Sequence, residues 1–299
     1  MKLVHFNDYR LGVLKGDRVV DVSSVVQDIP HVGPHDRMSR LIERFDQYRG
    51  KLEQATQSGQ GIPLEQVRLR APVPKPGKIV AMAGNYLENG SLKEARPINA
   101  FLKSPNAVIG DGDTVVLPPE PVTIFHHEAE VGMVVAKKAS KVKAADAKSY
   151  IFGWMNFIDV SARGLGPQGM DNFFQGKSWH SFAPCGPYLV TADEVPDPQN
   201  MPIKLWVNGD LRQDYNTNDM GHKIPDTIAW ASSIVTLNPG DVIAFGTNHQ
   251  GLGSLQDGDK VEIEITGFGR LHVNVTDNMK RSWPRGVDHT MADRVAGRA

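Results

Sequence analysis

The sequence contains very little cysteine: Cys185 is the only one among 299 residues. A single thiol cannot form a disulfide within the chain or build a cluster of thiolate metal ligands. An excess of one charge is also missing, because 33 basic and 34 acidic side chains leave a formal net charge of −1. Such a chain lacks the basic field that attracts nucleic acid. We therefore expect no nucleic-acid partner, and any metal site must use oxygen or nitrogen ligands.

Long hydrophobic runs are missing as well. No apolar stretch approaches the roughly 20 residues that a bilayer-spanning helix requires. The first segment, residues 1–8, lacks the apolar core of a secretory signal peptide. We therefore expect no membrane partner and a cytoplasmic location.

Glycine and proline, in contrast, are plentiful, with 29 and 20 copies, and they often stand beside aspartate. Such turns next to short β-branched runs are typical of short strands joined tightly, so we predict an α+β protein that is mainly β. Pro72, Pro74 and Pro76 interrupt regular structure. We place a domain boundary there, which gives a small N-terminal α+β module at 1–71, a main domain at 72–277 and a polar tail at 278–299 that we expect to fray.

The stretch from Ile124 to Val131 is the most informative part of the chain. Its polar and apolar residues alternate, which predicts one β-strand. In such a strand Glu128 and Glu130 project from the same face, roughly 6–7 Å apart. Neighbouring carboxylates repel each other, so either water screens them at the surface or a divalent cation holds them.

A third carboxylate, Asp159, lies near the end of the largely apolar run 151–160. A buried carboxylate is costly unless it is paired, hydrogen-bonded or bound to a metal. The alternative is an aspartate that caps the turn at Ser161.

The order of several short motifs resembles that of the fumarylacetoacetate hydrolase superfamily, especially its small bacterial acylpyruvase-like branch. Each motif alone is weak, but their joint order over nearly the whole chain is specific. The motifs are Gly84-Asn85-Tyr86, Phe101-Leu102-Lys103, His126-His127-Glu128-Ala129-Glu130, Asp159-Val160-Ser161-Ala162-Arg163, Gly176-Lys177-Ser178, Gly240-Asp241-Val242-Ile243 and Gly246-Thr247.

The resemblance implies a mixed β-roll catalytic domain that usually assembles as a homodimer. It also implies that Glu128, Glu130 and Asp159 bind a divalent cation. Three hard oxygen ligands suit Mg²⁺, Mn²⁺ or Ca²⁺ better than zinc, and we expect Mg²⁺. Three protein ligands leave positions open for water and substrate.

Members of this family typically act on 2-oxo acids, often 2,4-dioxo acids. We expect a metal-dependent hydrolase that cleaves a C–C bond of an acylpyruvate-like substrate through a metal-stabilised enolate. Isomerisation, hydration or dehydration, and decarboxylation of a 2-oxo acid are alternatives that use the same metal site. A non-catalytic module that binds a small acid or a partner protein is a further alternative.

The resemblance also implies roles for residues around the cation. Lys177 matches the active-site lysine, which would stabilise developing negative charge; the alternative is a solvated loop lysine. Arg163 and Thr247 match positions that line the substrate pocket, with a salt bridge and a loop cap as the structural alternatives. Tyr86 and Lys103, which lie in two matching motifs, are further candidates for substrate binding.

Residues 87–99, which correspond to the lid segment of the family, depart from the family pattern. Family members commonly carry a histidine after Asn-Tyr and a glutamate three residues later, whereas Asn89 and Leu92 occupy these positions here. The water-activating pair is therefore absent, or shifted onto Glu88 or Glu94.

Two histidines stand where the family has other residues, His180 after Gly-Lys-Ser-Trp and His249 after Gly-Thr-Asn. Imidazole has a pKa of about 6.5, so either histidine suits a general base at neutral pH. A hydrogen-bonded structural role is the alternative for both. For His126 and His127, beside the expected ligands, we predict a supporting hydrogen bond.

Overall fold

The computed structural model describes residues 1–166 and 172–298. Strands dominate, which confirms the predicted mainly β, α+β class. The described helices all fall short of the length and apolar character that a bilayer-spanning helix requires. The N-terminal part contains β1 (Lys2–Phe6), β2 (Arg10–Lys15), β3 (Arg18–Asp21), α1 (Pro34–Glu43), α2 (Phe45–Ser58), β4 (Ile62–Pro63) and β5 (Leu69–Arg70).

The described residues of the remaining chain form a β-roll with three short α-helices. Its elements, in chain order, are β6 (Ile79–Met82), β7 (Ala100–Lys103), β8 (Val108–Ile109), β9 (Thr114–Val116), β10 (Ile124–His126), β11 (Ala129–Val135), β12 (Ile151–Ile158), β13 (Ser161–Arg163), α3 (Phe173–Lys177), β14 (Ala183–Thr191), β15 (Pro202–Val207), β16 (Asp210–Asn216), α4 (Ile224–Ile234), β17 (Val242–Ala244), β18 (Lys260–Ile265), β19 (Arg270–Thr276) and α5 (His289–Val295).

The larger sheet passes through both parts of the chain. Its described strands lie in the order β4-β3-β2-β1-β14-β12-β11-β17-β6-β7, with β5 paired to β1 and β8 to β14. The link is the antiparallel pairing of β1 with β14, in which Leu3 lies opposite Leu189. The N-terminal hairpin therefore extends the main sheet. The domain boundary that we placed after residue 71 stays a prediction.

A second sheet, in the order β16-β15-β18-β19-β9, packs against the first. The buried side chain of Asn156 in β12 joins the two sheets. Its amide donates to the carbonyl of Gly269 at 2.9 Å, and its oxygen accepts the N–H of Ile265 at 2.9 Å. Because a buried amide is costly unless it is satisfied, these bonds fix how the sheets stack.

The acidic stretch forms two strands, and the prediction of a single strand is wrong. β10 pairs with β13, whereas β11 pairs with β12 and β17 in the larger sheet. His127 and Glu128 lie between them. Alternation cannot reveal this break, because the polar and apolar residues alternate on both sides of it.

The C-terminal tail, which we expect to fray, contains the helix α5 among its described residues. Asp288 caps this helix by accepting the N–H of Met291 at 3.3 Å. Met291 and Val295 form a small apolar cluster with Leu252. The tail is therefore held by packing as well as by its cap.

Candidate active site

Three carboxylates meet where β11 and β12 pair. Ala129 lies opposite Ile158, so Asp159 follows opposite Glu128, and the N–H of Asp159 donates to the carbonyl of Glu128 at 2.9 Å. Glu130 lies two residues along the chain, on the same face. One carboxylate oxygen from each of the three acids lies within 4.8 Å of the other two.

Cationic side chains bind two of these buried acids. Lys177 donates to Glu128 at 2.6 Å and to Asp159 at 2.8 Å. Arg163 also donates to Glu128, and Lys103 donates to Asp159 at 2.5 Å. Burial alone would raise the pKa of Glu128, but Lys177 and Arg163 outweigh burial and hold this pKa below its usual range. Glu128 is therefore kept ionised by neighbouring cations, and Asp159 lies against two ammonium groups.

Glu130 has no such cation among the described residues. One of its oxygens accepts the N–H of Gly246 at 2.8 Å, whereas Oε1 is buried without a hydrogen-bond partner in the described part of the chain. Burial raises the pKa of Glu130 well above its usual value, and the charges of Asp159 and Glu128 raise it further. A positive charge beside this carboxylate would therefore stabilise its ionised form.

The donor set fits a divalent cation. Oxygen ligands of an octahedral ion with bonds of 2.0–2.1 Å lie at most about 4.2 Å apart, slightly less than the 4.8 Å limit found here. A cation among the three acids would give Oε1 of Glu130 a partner and would favour the ionised form of all three. Carboxylate oxygens suit Mg²⁺, Mn²⁺ or Ca²⁺.

A cavity of about 620 Å³ opens beside the carboxylates, a volume typical of small-molecule sites. Glu128 reaches its wall, as do four of the residues predicted from the sequence: Lys177, Arg163, Thr247 and His249. The structure thus brings the metal site and most of the expected substrate-binding residues to one space.

Tyr86 and Lys103 lie outside the described cavity wall, and their contact with substrate stays a prediction. Both are buried, with 1% of each residue exposed. The ring of Tyr86 packs edge-on against Tyr215 at a centroid distance of 4.9 Å. The ammonium of Lys103 is occupied by Asp159 and the carbonyl of Lys177. Lys103 therefore supports the carboxylate of Asp159.

His249 and Glu88 form a hydrogen-bonded pair at the cavity. Nδ1 of His249 donates to Oε1 of Glu88 at 2.7 Å, and the backbone N–H of His249 donates to Oε2 at 2.8 Å. Glu88 is fully buried and adopts a φ of 58°, a conformation that residues other than glycine rarely adopt. Because Nδ1 faces Glu88, Nε2 is the ring nitrogen that remains to take up a proton.

His180, the other candidate base, is not brought to the site. Its side chain is exposed and lies outside the described cavity wall. Glu94, the second alternative for the shifted lid acid, is exposed as well. The structure therefore leaves His249 and Glu88 as the candidate pair.

His126 connects the carboxylate cluster to α5. Arg163, which binds Glu128, donates from Nε to Nδ1 of His126 at 3.2 Å. Nε2 of His126 lies 2.9 Å from Asp288, the cap of α5. Burial lowers the pKa of His126 to about 3, and Arg163 contributes to this decrease. The ring is therefore neutral, accepts at Nδ1 and donates at Nε2.

Sequence reasoning missed the contribution of α5 to the cavity. Met291, Arg294 and Val295 line it, together with Arg96 from the lid. A signal for this helix was available: an aspartate at an N-cap position precedes apolar residues at 291 and 295, spaced i, i+4. Nothing in that signal indicates where the helix packs.

A β-roll with three buried carboxylates beside a small-molecule cavity defines a metal-dependent enzyme. Residues 78–276 match the sequence profile described as "Fumarylacetoacetate (FAA) hydrolase C-terminal". The chain belongs to the fumarylacetoacetate hydrolase family, as the order of its motifs predicts.

Two curated relatives and one solved structure illustrate the similarity. The maleylpyruvate hydrolase of Aquipseudomonas alcaligenes is 33% identical over 291 residues, which are 92% of this chain and 99% of that protein. The mitochondrial oxaloacetate tautomerase Fahd2a of Rattus norvegicus is 38% identical over 218 residues, 70% of this chain and 69% of that protein. The crystal structure of maleylpyruvate hydrolase from Sphingobium sp. SYK-6 with manganese(II) and pyruvate has a TM-score of 0.84 and 39% identity, and the match covers 93% of this chain and 99% of that one.

Proposed function

We propose that this protein is a divalent-metal-dependent hydrolase that cleaves a C–C bond of a 2,4-dioxo acid such as maleylpyruvate. The observation that carries the proposal is the cluster of Glu128, Glu130 and Asp159 beside a cavity lined by Lys177 and His249. Relatives named for that activity match nearly the whole chain, and one of them was crystallised with pyruvate. Pyruvate is a product of such a cleavage.

We assign Glu128, Glu130 and Asp159 as the metal ligands. A bound divalent cation supplies Lewis-acid chemistry, because it withdraws electron density from the oxygens of a 2-oxo acid. We propose Mg²⁺ as the resident ion because all three side chains offer hard oxygen donors. Mn²⁺, present in the relative's structure, and Ca²⁺ are the ions to compare with it.

His249 is the general base in this proposal. With its Nδ1 proton held by Glu88, His249 takes a proton from water at Nε2. The water oxygen bonds to the distal keto carbon, and the bond from that carbon to the methylene group breaks. The electron pair stays on the pyruvate fragment, whose methylene carbon then takes up a proton. The products are a carboxylic acid and pyruvate, so atoms and electrons balance.

Lys177 stabilises the negative charge that develops on the substrate in this reaction. Burial would lower the pKa of Lys177, but Asp159 and Glu128 raise it above its usual value. The ammonium therefore stays charged in a buried position, where an electrostatic interaction is strong. Arg163 and Thr247, which share the cavity wall, offer further donors to substrate oxygens.

Ultraviolet absorbance tests the reaction directly on a panel of 2-oxo and 2,4-dioxo acids with Mg²⁺ or Mn²⁺. Loss of the diketone band with two acid products means hydrolysis. A shifted band with one product means isomerisation or hydration, and saturable binding without turnover means a binding module. Glu130→Gln, which preserves the shape of the side chain, serves as the blank, and Glu264→Gln on β18 is the matched control. Equal turnover in the Glu130 variant would contradict the metal site.

Tautomerisation of a 2-oxo acid is the second candidate function. It is favoured by the 38% identity to the rat oxaloacetate tautomerase, and it needs the same metal site without bond cleavage. Product analysis in the assay above separates the two candidates, because tautomerisation yields no pyruvate from a 2,4-dioxo acid.

We also propose that the protein works as a cytoplasmic homodimer. Leu102 of β7 and Phe174 of α3 are large apolar residues with exposed fractions of 59% and 76%. Exposed apolar side chains on neighbouring elements suit a protein interface. Light scattering measures the oligomeric state, and Phe174→Asp is expected to shift a dimer toward monomer. Fractionation of the expressing cells tests the location.

A further inference from the structure

We propose that Gln213 is a positioning residue that fixes the hydroxyl of Thr247 as a hydrogen-bond donor to an oxygen of the substrate. Gln213 lies outside the described cavity wall, whereas Thr247 is part of it. The effect of Gln213 on the ligand is therefore transmitted through Thr247. This inference rests on the proposed function, in which Thr247 binds the substrate, and it adds the residue that sets the direction of that hydrogen bond.

The side-chain amide of Gln213, on β16, is buried and has four polar neighbours. Its oxygen accepts the N–H of Ala129 at 3.1 Å and lies 3.0 Å from Nδ1 of His127. Its nitrogen donates to the carbonyl of Asn248 at 2.7 Å and lies 2.8 Å from Oγ1 of Thr247. Only 1% of the residue is exposed. These four contacts use both donors and both acceptor positions of the amide.

Two of the four contacts fix which end of the amide is the oxygen. The backbone N–H of Ala129 can only donate, and the backbone carbonyl of Asn248 can only accept. Turning the amide by 180° would place its NH₂ group against the N–H and its oxygen against the carbonyl, which would leave both buried backbone groups unpaired. The direction of the Gln213 amide is therefore set by the backbone of β11 and of the loop after β17.

The direction of this amide determines the role of Thr247. Because the nitrogen of Gln213 donates to Oγ1, the hydroxyl hydrogen of Thr247 must point to a different acceptor. Within the described residues, the carbonyl of Asn248 at 3.4 Å and Oη of Tyr215 at 3.5 Å are its alternatives. Both distances are long for a hydrogen bond from a hydroxyl. A ligand oxygen in the cavity is therefore the better acceptor.

The same amide joins the two segments that carry the proposed metal ligands and the proposed base. Ala129, which donates to it, lies between the two glutamates of β11 and its preceding turn, and Asn248, which accepts from it, lies between Thr247 and His249. Gln213 thus holds the hydroxyl of Thr247 in place relative to the carboxylate cluster. A donor that is already held in place loses little entropy when the ligand binds.

A double-mutant cycle on pyruvate binding tests whether Gln213 acts through Thr247. In the intact, Mn²⁺-loaded protein, Thr247→Val is expected to raise Kd for pyruvate about 10- to 100-fold, the loss typical of a hydrogen bond to a charged group. Gln213→Met should raise Kd about tenfold, because the carbonyl of Asn248 then lacks its donor and competes for the Thr247 hydroxyl. In the Thr247→Val background, Gln213→Met should change Kd less than about threefold. Titration calorimetry measures all four values.

Gln199→Met is the matched control. Gln199 also accepts a backbone N–H, from Ile224 at 3.0 Å, and donates to a backbone carbonyl, that of Thr217 at 2.6 Å. It is absent from the described cavity wall, so its substitution should leave Kd for pyruvate unchanged. If Gln213→Met does not fold, Gln213→Glu completes the cycle, because a carboxylate keeps both accepted contacts and cannot donate.

An equal rise in Kd from the Gln213 substitution with and without the Thr247 hydroxyl would overturn the inference, because Gln213 would then support only the fold of the site. Unchanged binding in Thr247→Val would overturn it as well. In both cases the proposed function stands if the parent cleaves a 2,4-dioxo acid. A parent that binds pyruvate but cleaves no 2,4-dioxo acid contradicts the proposed hydrolysis, and the cycle still decides the role of Gln213 because it is measured by binding alone.

Discussion

At the scale of single residues, the buried cluster contains three carboxylates and three cationic side chains. Lys103, Lys177 and Arg163 bind Asp159 and Glu128, while Glu130 is left with one unpartnered oxygen. Buried ion pairs contribute little net stability, but loss of one partner is expensive because the other charge stays buried. Such a cluster is better suited to a bound cation than to stability.

Lys103→Met tests the supporting role of Lys103. Removing this cation leaves the buried carboxylate of Asp159 with one cationic partner fewer, so we expect the free energy of unfolding to fall by about 3 kcal/mol in chelator. Mn²⁺ should stabilise this variant more than it stabilises the parent, because the added cation replaces the lost charge. Urea unfolding with and without Mn²⁺ measures both effects.

The control for this experiment is Lys78→Met, which breaks a Lys–Asp pair away from the cluster, with Nζ of Lys78 at 2.5 Å from Asp241. Mn²⁺ should stabilise this variant only as much as the parent. An equal Mn²⁺ effect in the Lys78 and Lys103 variants would mean that Lys103 does not belong to the metal site.

His249→Gln tests the base. General acid–base catalysis typically contributes 10²–10⁴-fold, so we expect kcat for a 2,4-dioxo acid to fall at least about 100-fold with KM nearly unchanged. Glu88→Gln keeps a hydrogen-bond acceptor but removes the charge, and its loss should be smaller. His272→Gln, which disrupts a His–Asp contact with Asp111 outside the site, should leave turnover intact. Turnover within a few-fold of the parent in the His249 variant would rule it out as the base.

At the scale of elements, α5 depends on Asp288 at its N-cap. Asp288→Ala removes this cap and the partner of His126, and loss of such a cap typically costs about 1 kcal/mol. We expect faster amide exchange over residues 291–296 and a higher KM, because α5 forms part of the cavity wall. Asp293→Ala on the same helix, where Asp293 pairs with exposed Arg298, is the control. Unchanged exchange in the Asp288 variant would mean that packing alone holds the helix.

The elements also show which parts of the site the sequence could reveal. Alternation placed Glu128 and Glu130 on one face, because parity depends only on neighbouring residues. Asp159 joins them through the register of β11 with β12, a long-range pairing that local patterns do not encode. The order of motifs, and not periodicity, predicted that this third carboxylate belongs to the site.

Other contacts of the site depend on long-range structure in the same way. Lys103 lies in a matching motif, yet its role depends on Asp159, 56 residues away. Glu88 and His249 are 161 residues apart, so only the folded chain shows that they form one pair. Local signals therefore predict elements well, whereas the partners of buried charges depend on tertiary structure.

At the scale of the whole molecule, one sheet joins the N-terminal hairpin to the strands that carry the metal site. A ligand that binds only the folded state stabilises everything that unfolds with its site. Mn²⁺ at 100 times its dissociation constant adds about 2.7 kcal/mol, which raises Tm by roughly 5 °C for a chain of this size. The hairpin should share this stabilisation, although it lies in the other predicted module.

Hydrogen exchange with and without Mn²⁺ tests this coupling at β2 and β3. We expect their most protected amides to slow together with those of β11 and β12, because the pairing of β1 with β14 makes the sheet continuous. Glu130→Gln, which removes a proposed ligand, should abolish the effect in both regions and leave Tm unchanged by Mn²⁺. If Mn²⁺ slows exchange in β11 and β12 but not in the hairpin, residues 1–71 unfold separately from the main domain. The boundary after residue 71 then separates two units that unfold independently.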